Sequence, residues 1–337
     1  MTGRLTMIVL LLVALAKPAW AQPPVDWKDP SPHKATFVAL EDGVELEVLD
    51  WGGSGRSIVL LAGLGDTAHV FDDFAPMLAR QYRVVGITRR GHGRSSAPGS
   101  GYEFARLAED VARVIDAVGL KRPVIAGHSL AGEELHILGA RDPAQIGGLV
   151  YIDAAFNRAD GSEDYDAVAR TLPPRPGPQP SDLASFAALA AFLKSTQSAI
   201  PPEAHLRARY VAQADGSVGD AWMPALPVRQ GFMNEMKRSF QSYTPARIGV
   251  PALAIYAVPT SATDLMRPWY KADDSKNVER LYVLARERFR RHAQWFEAFA
   301  ERGRVSEISG EHHLFLSHAR AVLQQIQDFM SSLSERP

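Results

Sequence analysis

The chain has 337 residues, 46% of them hydrophobic and 22% charged, which suits one large α/β domain with an insertion or two ordinary domains. A formal net charge of −1 gives no electrostatic pointer to nucleic acid or to an anionic membrane surface, so a small molecule is the expected partner. The absence of cysteine excludes thiolate nucleophiles, cysteine-based zinc sites and iron–sulfur clusters, and leaves an apolar core to hold the fold without disulfides.

Residues 1–21 read as an export signal. Arg4 supplies the positive start, Met7 to Ala16 the apolar segment, and Ala19 and Ala21 the small residues before a cleavage that would leave Gln22 at the new terminus. The apolar run is shorter than the ~20 residues that a bilayer-spanning helix needs. The mature protein is therefore expected outside the cytoplasm, periplasmic or secreted, with no membrane span after signal removal.

From Ala35 the chain alternates β-rich runs with helix-period stretches. Ala35 to Leu40 and Val44 to Leu49 flank the Asp42-Gly43 turn signal and predict a hairpin. Ser57 to Ala62, Arg83 to Thr88, Pro123 to Ala126 and Gly148 to Asp153 are short continuous apolar runs, the pattern of buried parallel strands. Between them, Leu107, Val111, Val114, Ile115 and Val118 recur at helical spacing, and Gly119 closes that helix.

This alternation predicts a doubly wound, mostly parallel sheet covered on both faces. It breaks at 156–248, which contains the Pro173–Pro180 proline-rich tract followed by helix-period segments. That stretch, with Trp222, Met223, Phe232 and Met233, is expected to form a helical cap over a core made of 22–155 and 249–337. Strands resume at Ala252 to Val258 and Arg304 to Ile308, and Ser317 is expected to cap the last helix, whose inner face carries Val322, Ile326, Phe329, Met330 and Leu333.

The strand ending at Ala126 runs into Gly127-His128-Ser129-Leu130-Ala131-Gly132, with a helix expected from about Leu130 to Gly139. Small residues at Gly127 and Ala131 permit a sharp turn that exposes Ser129 above a helix N-terminus, where developing negative charge is favoured. Here the chain resembles the α/β-hydrolase family, with Ala131 where the second glycine of G-x-S-x-G usually stands. Leu61-Ala62-Gly63-Leu64-Gly65 resembles the oxyanion loop of that family, with Ala62 in place of a frequent His. Thr88 to Ser96 resembles its strand-four turn, in which His92 reads as a turn residue and not a base.

The resemblance implies Ser129 as nucleophile and the backbone N–H groups of Leu64 and Leu130 as oxyanion donors. It implies a histidine before the final helix, where His312 and His313 are adjacent; the Gly-x-x-His spacing from Gly310 selects His313. The acid is expected at Asp153, at the end of a preceding strand, or at Asp264, which lies nearest the family's commoner position. Glu133 and Glu134, in the first turn of the nucleophile helix, are expected to serve that terminus, and the Arg286–Arg291 cluster with His292 to form a solvated helix face.

Two-step acyl transfer on a small carboxylic ester is the implied reaction, and a serine at the elbow argues against the haloalkane dehalogenase and epoxide hydrolase branches. Amide or iminopeptidase activity, lactone hydrolysis and carbon–carbon bond hydrolysis stand as alternatives. Glu163, Asp164 and Asp166 are candidate anchors for a peptidase substrate's amine. A non-catalytic binding module on the same fold is a further alternative. The residues present no metal-ligand spacing and no cofactor fingerprint.

Overall fold

The computed structural model describes residues 27–41, 43–158, 160, 163–221, 226–242 and 246–333. The signal segment 1–21, Trp222 and Met223 lie outside the described residues.

The chain begins with β1 (Lys34–Glu41), β2 (Val44–Gly52) and β3 (Ser57–Leu61), then α1 (Ala75–Ala79), β4 (Arg83–Ile87) and α2 (Phe104–Ala117). After β5 (Val124–His128), α3 (Ala131–Arg141) and β6 (Gly148–Ile152) come α4 (Glu163–Ala169), α5 (Phe186–Thr196) and α6 (Glu203–Arg209). A small hairpin of β7 (Tyr210–Ala212) and β8 (Val218–Ala221) precedes α7 (Leu226–Ser242). The core resumes with β9 (Ala252–Ala257), α8 (Ser275–Phe299), β10 (Gly303–Ile308), α9 (Leu314–Ser317) and α10 (Ala319–Ser332).

The sheet has eight strands in the order β1-β2-β4-β3-β5-β6-β9-β10. The expected hairpin forms, with β1 antiparallel to β2 and β2 antiparallel to β4; every other pairing is parallel. Alternate residues of each central strand serve opposite faces, as a period of two demands. Val59, Leu61, Ile125, Leu149 and Tyr151 pack with Val111, Val114, Leu135 and Phe296 on one side. Ile58, Leu60, Ala126, Val150 and Ile152 pack with Leu78, Val322, Ile326 and Phe329 on the other. Burying each such large side chain contributes about 1.5–3 kcal/mol, which is how this core holds without cross-links.

The order in which strands are added reverses between the parallel β3 and β5: β3 leads to β4 on one side, whereas β5 leads to β6 on the other. Ligands of open α/β sheets bind outside the carboxyl ends of the strands at such a point. The loop after β3 and the turn after β5 therefore meet there.

Among its described residues, the segment between β6 and β9 holds α4 to α7 and also the β7–β8 hairpin, too short to show as an apolar run. Phe186, Leu189, Leu193, Leu206 and Val218 give it a small core of its own. Met236 and the half-buried Phe232 of α7 pack on Phe104, Leu107 and Leu130, while Met233 is exposed. Ser317 does not cap the last helix. It ends the one-turn α9, and His318 occupies the cap position of α10 with no side-chain cap bond.

Candidate active site

Ser129 sits between β5 and α3 with φ +54, a left-handed conformation that costs a non-glycine residue about 1–2 kcal/mol. The small neighbours make the turn possible. A Cβ on Gly127 would stand 2.7 Å from Leu135 Cδ1 and 2.9 Å from Ala131 Cβ, and one on Gly132 would stand 2.0 Å from the carbonyl oxygen of Ala154. Gly132 thus lets the start of α3 lie against the backbone just after β6, while Ala131 is tolerated at the motif's second small position.

The Ser129 hydroxyl donates to His312 Nε2 (2.8 Å), and His312 Nδ1–H donates to Asp153 Oδ2 (2.5 Å). The other Asp153 oxygen accepts the Ala257 N–H (3.0 Å), and Asp153 itself adopts φ +46, so its carboxylate is fixed by backbone as well as by partner. A carboxylate on Nδ1 sets the tautomer that leaves Nε2 free to accept the serine proton.

The structure therefore brings Ser129 and Asp153 together and corrects the choice of histidine. His312, and not His313, faces the serine. His313 Nε2 instead bonds Asp66 Oδ2 at 3.0 Å. The family spacing from Gly310 missed by one residue because adjacent loop side chains diverge, and Asp66 supplies a second carboxylate that draws the neighbouring imidazole away. Asp264 is not at the site: its carboxylate accepts from Thr260, Ser261 and Ser309, which close an exposed turn, and those bonds hold it below the usual carboxylate range.

His128 binds the histidine loop from below. It is buried between the rings of His312 and His313, at 4.4 and 4.6 Å, and its Nε2–H donates to the carbonyl of His312 (3.1 Å). Burial, with the two neighbouring imidazoles, keeps it well below its ordinary value and neutral. Burial would raise Asp66, but bonds from His205 and His313 overcome this and hold the carboxyl well below its usual range. Arg209 adds a third contact to Asp66 (3.0 Å). Asp66 thus ties the histidine loop to α6.

The loop after β3 lies against the elbow. A Cβ on Gly63 would meet Ser129 Cβ at 3.2 Å and His128 Nδ1 at 2.9 Å, so only glycine allows this approach. Arg89, buried, donates to the carbonyls of Ala62 (3.0 Å) and Gly63 (3.3 Å) while pairing with Glu134 of α3 (2.9 Å). The Gly65 N–H donates to His92 Nε2 (3.0 Å), and the other ring nitrogen of His92 donates to the Arg90 carbonyl (3.0 Å). Burial and nearby Arg89 push His92 down to about 4, consistent with that neutral tautomer. His92 is a turn residue, as read, and it also fixes the loop that carries Leu64. Leu64 is exposed and Leu130 buried at the start of α3. Glu133 and Glu134 make no cap: Glu133 pairs with Arg158 (2.7 Å) and Glu134 with Arg89.

A cavity of about 1210 Å³ opens over Ser129, Asp153 and His312, walled by Phe156, Tyr165, Tyr256, Trp269 and Phe289. Arginines from α8 and from the inserted segment reach it as well. The basic stretch 286–291 is thus more than a solvated face. Phe289 packs against the core, His292 is buried, and Arg288 lines the cavity, because positions three and four apart share one side of the helix. A smaller pocket of about 210 Å³ lies beside Asp66, His205, Arg209 and His313.

Among the described residues, two groups of side chains have potential metal-ligating atoms within 4.8 Å of one another, Asp66–His128–His313 and Asp29–His33–His69–Asp72. In the second, Asp72 already accepts from His33 (2.8 Å), His69 (2.9 Å) and Trp51 (3.1 Å), which pins residues 29–33 to the core.

The chain matches the alpha/beta hydrolase fold family over residues 56–287. It is 39% identical over 109 residues to a non-heme haloperoxidase of Rhodococcus erythropolis, a match covering 32% of this chain and 39% of that protein. It is 32% identical over 114 residues to a bifunctional esterase/perhydrolase of Acinetobacter calcoaceticus, covering 32% of this chain and 40% of that protein. The matches thus span less than half the length of either relative. The crystal structure of E-2-(acetamidomethylene)succinate hydrolase superposes with a TM-score of 0.58 at 20% identity, covering 89% of this chain and all of that one. With the family match running through most of the core, the central sheet and the elbow, the chain belongs to the α/β-hydrolase fold family and has the architecture of a hydrolase enzyme.

Proposed function

We propose that the protein is a serine hydrolase that cleaves a small carboxylic ester through an acyl-enzyme. The observation that carries this reading is the continuous hydrogen-bonded line from Ser129 through His312 to Asp153, at the carboxyl end of the sheet and open to a cavity. Ser129 Oγ attacks the ester carbonyl carbon as His312 Nε2 takes its proton, and the resulting imidazolium is stabilised by Asp153. The tetrahedral intermediate collapses, the C–O bond to the alcohol breaks, and His312 returns the proton to the departing alkoxide. A water then gives a proton to His312 and attacks the acyl carbon; release of the carboxylic acid restores the Ser129 hydroxyl.

The N–H groups of Leu64 and Leu130 are assigned to the oxyanion. The close approach of Gly63 to Ser129 and the bracing of that loop by Arg89 and His92 support the assignment. A preorganised donor of this kind contributes about 3 kcal/mol to transition-state stabilisation. Residues 156–248 serve as the cap, bounding the cavity with Phe156, Tyr165 and Arg175. The reading is tested with a panel of ethyl and p-nitrophenyl esters of increasing acyl length. Wild type should turn over short esters and Ser129→Ala should not; equal residual rates would remove Ser129 from the mechanism. Export rests on residues 1–21 alone, and a periplasmic or secreted product beginning at Gln22 is the expected result of N-terminal sequencing.

A further inference from the structure

The charges around the cavity are lopsided. Five arginines line it, Arg158, Arg170, Arg175, Arg267 and Arg288, against three carboxylates, Asp153, Asp166 and Glu311. The whole chain is nearly neutral, so this excess is local. Asp153 is committed to His312, Arg158 to Glu133 (2.7 Å) and Arg267 to Glu311 (3.4 Å). Arg170, Arg175 and Arg288 pair with no carboxylate among the described residues.

Arg288 is the most confined of the three. It is half-buried on α8, its guanidinium lies 4.9 Å over the Tyr165 ring, and its Nε–H donates to His292 Nε2 (3.2 Å). Burial and the Arg288 charge push His292 down to about 4, so the imidazole adds no second positive charge and competes for no anion. Stacked on a ring and anchored through Nε, the guanidinium presents its remaining N–H groups as a fork. That fork matches a carboxylate's two oxygens, and the aromatic walls match an apolar stem.

We propose that the cavity selects an ester that also carries a carboxylate on an apolar stem, with Arg288 binding that carboxylate and Arg170 and Arg175 drawing it to the mouth. The proposal rests on the hydrolase reading for the placement of the ester carbonyl at Ser129. It also disfavours the peptidase alternative. Of the candidate amine anchors only Asp166 lines the cavity, where the arginines outnumber it.

The test separates binding from turnover. Monoethyl adipate and ethyl hexanoate have similar length and differ by one carboxylate. In a Ser129→Ala background, calorimetry should show the adipate monoester binding at least about tenfold tighter at low salt, and Arg288→Gln should lower that preference about tenfold. Arg170→Gln/Arg175→Gln, at exposed positions, should lower it further, and Arg290→Gln on the outer side of the same helix should leave it intact. In wild type, the ratio of kcat/KM for the two esters should follow the same order. Equal binding of the two esters, or a preference unmoved by Arg288→Gln and by the double variant, overturns the proposal. Tight binding of the monoester with no hydrolysis of any ester would keep the anion site and refute the hydrolase reading. Hydrolysis without preference would do the reverse.

Discussion

Replacing His312 and His313 one at a time separates two imidazoles that the sequence leaves side by side. His312 Nε2 lies 2.8 Å from Ser129 Oγ, so His312→Ala removes both the acceptor of the serine proton and the donor to the leaving group. Loss of a positioned general base and acid typically costs 10²–10⁴-fold, and a drop of about 10³ in kcat corresponds to about 4 kcal/mol of barrier. His313 Nε2 bonds Asp66, which still keeps His205 and Arg209. With more than a third of the His313 side chain exposed, its loss should cost about 1 kcal/mol of stability, and kcat should fall less than about tenfold. The assay is steady-state hydrolysis of a p-nitrophenyl ester, with urea denaturation run alongside to separate folding from catalysis. A collapse of kcat in folded His313→Ala, with His312→Ala near wild type, would refute the assignment.

Other predictions follow from single contacts. Asp153→Asn can still accept the Ala257 N–H through its amide oxygen but turns an NH₂ toward His312 Nδ1; the flipped tautomer should lower kcat about 10³-fold or more with little change in stability, read from kinetics and melting together. Gly132→Ala places a Cβ 2.0 Å from the Ala154 carbonyl oxygen and should cost at least about 3 kcal/mol in denaturant unfolding, whereas Ala131→Gly should cost about 1 kcal/mol. Buried His69 is raised to about 10 by Asp72 and Glu47 in spite of its burial. Below pH 6.5 both folded and unfolded states hold the proton and the contribution is complete. As the pH rises from 6.5 toward 10 only the native state keeps it, so stability should fall by as much as ~1.4 kcal/mol per pH unit; a flat denaturation profile over that window would refute the link.

The sheet was legible because strands buried on both faces leave continuous apolar runs, and Ile58–Leu61 or Leu149–Ile152 can hardly be read otherwise. The elbow was legible because Gly127 answers to local sterics with Ala131 and Leu135. What local pattern could not reveal was tertiary. His313 turns away from Ser129 because of Asp66, 247 residues earlier in the chain. Arg89 and Glu134, far apart in sequence and both ordinary surface types, become a buried brace behind the loop after β3. Arg288 looked like one charge in a solvated run until α4 and Tyr165 packed against its helix. The β7–β8 hairpin and the cap on α10 were lost to short length and to a helical turn that begins before Ser317.

The central claim is an activated serine at Ser129 with His312 as its base. Labelling with a fluorophosphonate, followed by mapping of the modified peptide, tests it most directly. Wild type and His313→Ala should label at Ser129, while Ser129→Ala should not label and His312→Ala should label at least about 10²-fold more slowly. A label on another residue, or undiminished labelling of His312→Ala, would contradict the account.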